Sequence, residues 1–151
     1  MAELSTKWLV PSLLSVGGIG IDFILFYAKI SYTSTACPLG GSCDLVNNSV
    51  FSEMFGIPVS VFGILSFAFF LVISLAAWHK MIEEKMAWMG MAIVSGLGLL
   101  GALYFVYIMV FVLGAICTWC VFSHLILLTI FLLSYTNWKK GENGTKRGKK
   151  R

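Results

Sequence analysis

Charged side chains are scarce in this sequence. Asp, Glu, Lys and Arg make up 12% of its 151 residues, against about 25% in a soluble domain. Together with 58% hydrophobic residues and a mean hydropathy of +0.88, that scarcity excludes an ordinary soluble domain and describes an integral membrane protein. Histidine is rarer still. His79 and His124 are the only two, and neither has a metal-ligand spacing to the cysteines, so no metal is expected. Long polar stretches are missing too. At about 20 residues per span the apolar runs fill the chain with four helices and leave no room for a separate soluble domain. The net charge of +4 invites a nucleic-acid reading, but the Lys and Arg residues flank apolar runs, where they set topology. Membrane lipid is the expected surrounding, with no nucleic acid and with a monomer as the unit.

The expected fold is an all-α integral membrane protein, a four-transmembrane-helix bundle over residues 1–138 followed by a basic tail at 139–151. The spans run at about 8–30, 57–78, 86–113 and 117–135. The first is longer than a signal-peptide core and has no small-residue cleavage site. Gly17, Gly18 and Gly20 in the first span, and Gly90, Gly96, Gly98 and Gly101 in the third, suit close helix packing. Asp22 interrupts the first span. A carboxylate in lipid is costly, so it belongs toward the bundle interior. Two readings of it stand: a group packed against polar neighbours near the interface, or a proton-handling group near a bound cofactor.

Residues 31–56 form the only sizeable polar connection, and it carries Cys37 and Cys43. Pro38, Gly40 and Gly41 between them make a turn that can bring the sulfurs together. After Cys43, apolar positions at Leu45, Val46, Val50, Phe51, Met54 and Phe55 recur at helical spacing. They predict a short amphipathic helix lying on the membrane surface in the first extracytoplasmic loop. Asn47-Asn48-Ser49 matches a glycosylation sequon, a weak signal on its own.

The second cysteine pair is Cys117-Thr-Trp-Cys120, at the mouth of the fourth span. A Cys-x-x-Cys at a helix start places two sulfurs one turn apart, where free N–H groups and the helix dipole stabilise a thiolate. Cys117 is expected to be the more exposed sulfur, with Cys120 roughly 4.5 Å further along the axis. Lys7, Lys80, Lys85 and the basic tail share one side of the membrane, leaving Lys29 on the other. The positive-inside rule then puts both termini in the cytoplasm and both cysteine pairs on the outer, oxidising face of a cell membrane.

Two pairs on one face, one in a loop and one fixed at a helix mouth, suit a thiol–disulfide relay. Its catalytic residues are Cys37, Cys43, Cys117 and Cys120, and chain order and reach favour Cys43 attacking Cys117. Electrons reaching Cys120 need a sink in the membrane, which a lipid-soluble quinone of the ubiquinone or menaquinone type would provide. His124, one turn below Cys120, either hydrogen-bonds such a quinone or is satisfied by a neighbouring helix. Trp119 and Phe122 either line a ring pocket or face core and lipid.

Cys43-Asp-Leu-Val-x-x-Ser49, Phe55-Gly-Ile-Pro58-Val-Ser60-Val-Phe-Gly63 and Cys117-Thr-Trp-Cys120, in this order and spacing, resemble the vitamin K epoxide reductase family. Within it, the chain is most similar to prokaryotic homologues that oxidise secreted proteins. The resemblance implies a bundle around a quinone, with Cys37 and Cys43 as shuttle cysteines and Cys117 and Cys120 as the active-site pair. Cys120 would engage the quinone and Ser49 would help to order the site. Many prokaryotic members carry a thioredoxin-like domain after the bundle. A basic tail stands there in this sequence, so a separate thioredoxin-fold (DsbA-like) partner is implied. Vertebrate members contact vitamin K through an asparagine and a tyrosine at the positions of Val59 and His124, a departure that favours plain quinone reduction over epoxide reduction. The bacterial disulfide-bond B family also has four helices and two cysteine pairs, but its Cys-x-x-Cys lies in the first outer loop. A different class altogether is a four-span structural protein with Cys37–Cys43 as a brace, which has no need of a Cys-x-x-Cys at a helix mouth.

Overall fold

A computed structural model describes residues 2–148, with side chains over 7–141. Four long helices dominate it: α1 at Ala2–Ile30, α3 at Val59–Trp78, α4 at Glu84–Tyr107 and α5 at Thr118–Gly148. Their apolar stretches, Lys7–Ile30, Val59–Trp78, Glu84–Val112 and Thr118–Gly141, are each long enough to cross a membrane. Leu65, Leu97 and Leu103 project outward from the bundle, more than 60% exposed. Exposure of that kind suits lipid and would be costly in water. The protein is an all-α, four-helix, multi-pass membrane protein.

The helices pack chiefly as α1 on α3 and α4 on α5, with α1 also against α5. Small residues permit the approach. Gly18 of α1 lies against the Phe67 ring of α3, and Gly98 of α4 against Leu127 of α5. At the end bearing the chain termini, Trp8 stacks on Trp88 with ring centroids 4.1 Å apart, and the Ser74 hydroxyl donates to the Trp8 carbonyl. Buried Phe67, Phe70, Met91 and Ile130 complete that half of the core.

At the other end, α4 passes into a π-helical turn over Ile108–Val112, where Leu113 N–H reaches Ile108 C=O. Gly114, at φ +58°, then reverses the chain in a left-handed conformation that a side chain would strain. This short reversal delivers the chain into Cys117 and α5. The connection between α1 and α3 contains α2 at Cys43–Asn47, a 3-10 turn at Val50–Ser52, and an antiparallel pair of two-residue strands, β1 at Glu53–Met54 and β2 at Ile57–Pro58. The surface helix is therefore shorter than the apolar periodicity suggests. Phe55 and Gly56 both take positive φ and turn the chain between the two strands.

The fourth helix does not stop near Tyr135 but continues through Gly148, so the described part of the basic segment at 139–151 is helical. Residues 149–151 of that segment lie outside the described residues.

Candidate active site

Both cysteine pairs are disulfides, Cys37–Cys43 with Cα atoms 5.8 Å apart and Cys117–Cys120 with Cα atoms 5.3 Å apart. Each pair opens a helix. Cys43 begins α2, and its N–H points at the Cys37 sulfur, 3.2 Å away. Cys117 sits immediately before α5, and the Cys120 N–H lies 3.2 Å from the Cys117 sulfur. In both places an otherwise unpaired amide of a helix first turn faces sulfur, a setting that stabilises a thiolate when the bond opens.

The loop carrying the first pair lies directly on the second. Ser42 N–H donates to Ile116 C=O (3.1 Å), Thr118 Oγ1 to Gly40 C=O (2.8 Å) and Trp119 Nε1 to Ala36 C=O (3.0 Å). Gly41, at φ +117°, permits the approach, because a Cβ there would come within 2.6 Å of the Ile116 carbonyl oxygen. As a result Cys117 is fully buried and Cys120 only partly so. That reverses the expected order of exposure. The helix mouth is covered by the 36–42 loop, while Cys120, one turn on, borders a cavity. Cys43 and Cys117 share one buried cluster with Leu25, Val46, Met109 and Ala115, and Cys37 is packed against its edge.

That cavity has a volume of about 340 Å³, within the range of small-molecule pockets. All four long helices and the loop contribute to it, and its walls are mainly apolar, including Phe51, Met54, Phe67, Phe105 and Met109. Cys120 is the one cysteine in its lining. Asp22, Ser49 and His124 also line it, whereas Trp119 and Phe122 do not. Trp119 faces the loop through its indole N–H, and Phe122 is 36% exposed on the outside of α5. Ser49 donates to Val46 C=O at 2.8 Å, fixing the turn that follows α2.

The polar atoms at this cavity are few and incompletely paired. Asp22 Oδ1 accepts from Ser123 Oγ at 3.2 Å. Asp22 Oδ2, Ser60 Oγ and His124 Nδ1 are buried without a hydrogen-bond partner in the protein. Buried polar groups nearly always have partners, and these three belong to residues that line one largely apolar cavity, a composition that suits a flat apolar molecule with polar oxygens at its edge. A quinone head group has that chemistry. Among the described residues, no three His, Cys, Asp or Glu side chains converge as a metal cluster.

Lys29 was legible in the sequence only as a lone outer-face cation. Its ammonium group ties the loop down, donating to Asn47 C=O at 3.0 Å and to Ser52 Oγ, and pairing with Glu53 at 3.1 Å. Asn47, the sequon residue, is 9% exposed, and its amide nitrogen donates to Leu25 C=O at 3.0 Å, so in the folded chain that nitrogen is not free. Ser123 and Gly63 were not foreseen as part of the site. A Cβ at Gly63 would overlap the Asp22 carboxylate.

The family model described as the vitamin K epoxide reductase family matches residues 9–135. The chain belongs to the vitamin K epoxide reductase family. The match covers both cysteine pairs, the second and third spans and most of the first and fourth. Among curated proteins, no match to the chain is found. As a member of this oxidoreductase family, with its cysteines joined as disulfides, the protein has a redox role, and its relatives are quinone-linked.

Proposed function

We propose that this vitamin K epoxide reductase family protein oxidises the dithiol of a thioredoxin-fold partner and passes the electrons to a membrane quinone. The observation that carries this reading is the position of the Cys117–Cys120 pair. One sulfur is buried with Cys43 and the other borders the cavity.

A partner thiolate attacks Cys37, the more accessible sulfur of the loop pair, and Cys43 leaves as thiolate. The partner's second thiol then breaks the mixed disulfide. This releases an oxidised partner and leaves Cys37 and Cys43 reduced. Cys43, beside Cys117, attacks it and displaces Cys120. Cys37 resolves the new bond, which restores Cys37–Cys43 and leaves Cys117 and Cys120 as a dithiol. The Cys120 N–H would stabilise the Cys117 sulfur as it leaves in that last step, before it is protonated. A quinone of the ubiquinone or menaquinone type, held in the cavity, would supply the two-electron sink, and Cys117 and Cys120 would close again as a disulfide. Cys120 would face it, His124 and Ser60 would hold its oxygens, and Ser49 would order the loop wall. Both termini lie in the cytoplasm and the cysteines outside, following the Lys and Arg bias between the ends of the spans.

Cysteine trapping tests the relay order. In a Cys37→Ser/Cys120→Ser double variant treated with a mild thiol oxidant, the two remaining cysteines should join as Cys43–Cys117, detected by peptide mass spectrometry. In Cys43→Ser/Cys120→Ser, the bond Cys37–Cys117 should form poorly. The opposite ranking contradicts the order. A reduced thioredoxin-fold protein whose own second cysteine is changed to serine should attack the parent's Cys37–Cys43 bond and accumulate as a mixed disulfide on Cys37, with Cys43 released as the thiol.

A further inference from the structure

Asp22 is a buried carboxyl group in the middle of a membrane span, and the thiol relay makes no use of it. It is 5% exposed. Asp22 lines the cavity; Ser123 Oγ is hydrogen-bonded to its Oδ1, while Oδ2 is buried with no partner in the protein. Gly63 on the facing helix leaves room for the carboxylate where any side chain would collide with it. Ser123 lies three residues after Cys120, one helical turn along the same face of α5. The carboxyl group is thus fixed on one oxygen, unpaired on the other where it packs against Gly63, and connected through one hydroxyl to the turn bearing the cavity sulfur. A carboxyl group serving only to bind helices together would have both oxygens paired.

We propose that Asp22 is the proton donor to the quinone, giving a proton from its carboxyl group to one of the quinone oxygens and regaining one from the Cys120 thiol through Ser123. This rests on the quinone reading above. The balance closes without a further reactant. Two thiols, at Cys117 and Cys120, lose their S–H bonds and form one S–S bond. Two electrons and two protons end on the quinone, giving the hydroquinone. Asp22 finishes protonated, as it began.

The test compares the parent with Asp22→Asn, which preserves shape and can still accept from Ser123, and with Asp22→Glu. Three quantities are read: steady-state quinone reduction, reduction of the loop disulfide by a thioredoxin-fold dithiol with quinone omitted, and infrared difference spectra on reducing the protein with quinone bound. Asp22→Asn should lower kcat by about 100-fold or more, with KM for quinone unchanged. Its loop exchange should match the parent, and Asp22→Glu should recover part of the rate. A carboxylic-acid carbonyl band that changes in the parent spectrum should be absent from the Asn variant. The proposal is overturned by an unchanged kcat, by a change in KM alone, by equal loss of loop exchange, or by persistence of the band. A parent protein that reduces no quinone overturns the functional reading itself, which separates the two failures.

Discussion

The indole N–H of Trp119 donates to the carbonyl of Ala36, 3.0 Å away and 83 residues earlier in the chain. One of the two residues between Cys117 and Cys120 therefore holds the backbone immediately before Cys37. Together with Thr118 on Gly40 and Ser42 on Ile116, it clamps the loop pair over the helix pair. Trp119→Phe keeps the ring and removes this bond, a loss of about 1 kcal/mol. Reduction of Cys37–Cys43 by a small thiol should then speed up by roughly fivefold, followed by timed alkylation and gel shift. An unchanged rate would mean that the clamp does not limit access to the loop.

Gly63 and Gly20 make a matched pair. Gly63→Ala drives a methyl group into the Asp22 carboxylate and should destabilise the protein by roughly 1–3 kcal/mol. Gly20 has nothing within 4 Å of an added Cβ, so Gly20→Ala should be neutral or stabilise by up to about 1 kcal/mol. Thermal unfolding in detergent distinguishes them, and equal midpoints would refute the close approach at Gly63.

Lys29 should matter more than its ion pair. Its partners include a backbone carbonyl and a hydroxyl in a part-buried setting, whereas the Glu53 side chain is 47% exposed. Lys29→Met should cost roughly 1.5–3 kcal/mol, while Glu53→Gln should cost under about 1 kcal/mol. Hydrogen exchange over residues 47–54 should rise in the Lys29 variant alone. Equal effects would assign the latch to the ion pair.

Asp44 ties the start of the loop to α2. Its carboxylate accepts from the Thr35 N–H and from Ser34 Oγ (2.8 Å), which holds its pKa below the ordinary 3.8. A depressed carboxylate contributes stability that is fully present above pH 3.8 and is lost as pH falls below it through the folded-state value. Limited proteolysis of the 33–42 segment should therefore accelerate in strong acid and stay constant at higher pH. In Asp44→Asn it should already be fast at neutral pH. A parent protein with no acid dependence would contradict this linkage.

The four spans were legible because each is a long apolar run bounded by charge or glycine, and local composition suffices for that. The two cysteine pairs were legible because spacing encodes them. The order of exposure within Cys117–Cys120 was not, since the segment covering Cys117 is the 36–42 loop, about 80 residues distant in sequence. The extent of α2 was misread for a local reason. Val50, Phe51 and Met54 repeat at helical spacing, yet Phe51 and Met54 line the cavity from a 3-10 turn and a two-residue strand. Gly63 stands in the sequence only as the last residue of a family-like motif, and only the structure places it against Asp22 on the facing helix. Trp119 and Phe122 show the opposite limit. Aromatic rings next to a reactive pair suggest a ring pocket, while the helix phase turns both away from it.

The most direct test of the relay is quinone reduction by the purified protein, followed by absorbance, with each cysteine changed to alanine in turn. Reduced thioredoxin-fold protein and a small dithiol serve as alternative electron donors. Cys117→Ala and Cys120→Ala should abolish turnover with either donor, whereas Cys37→Ala and Cys43→Ala should abolish it with the protein donor and keep it with the small dithiol. Turnover like the parent's in all four variants would contradict the account and leave both disulfides as structural braces.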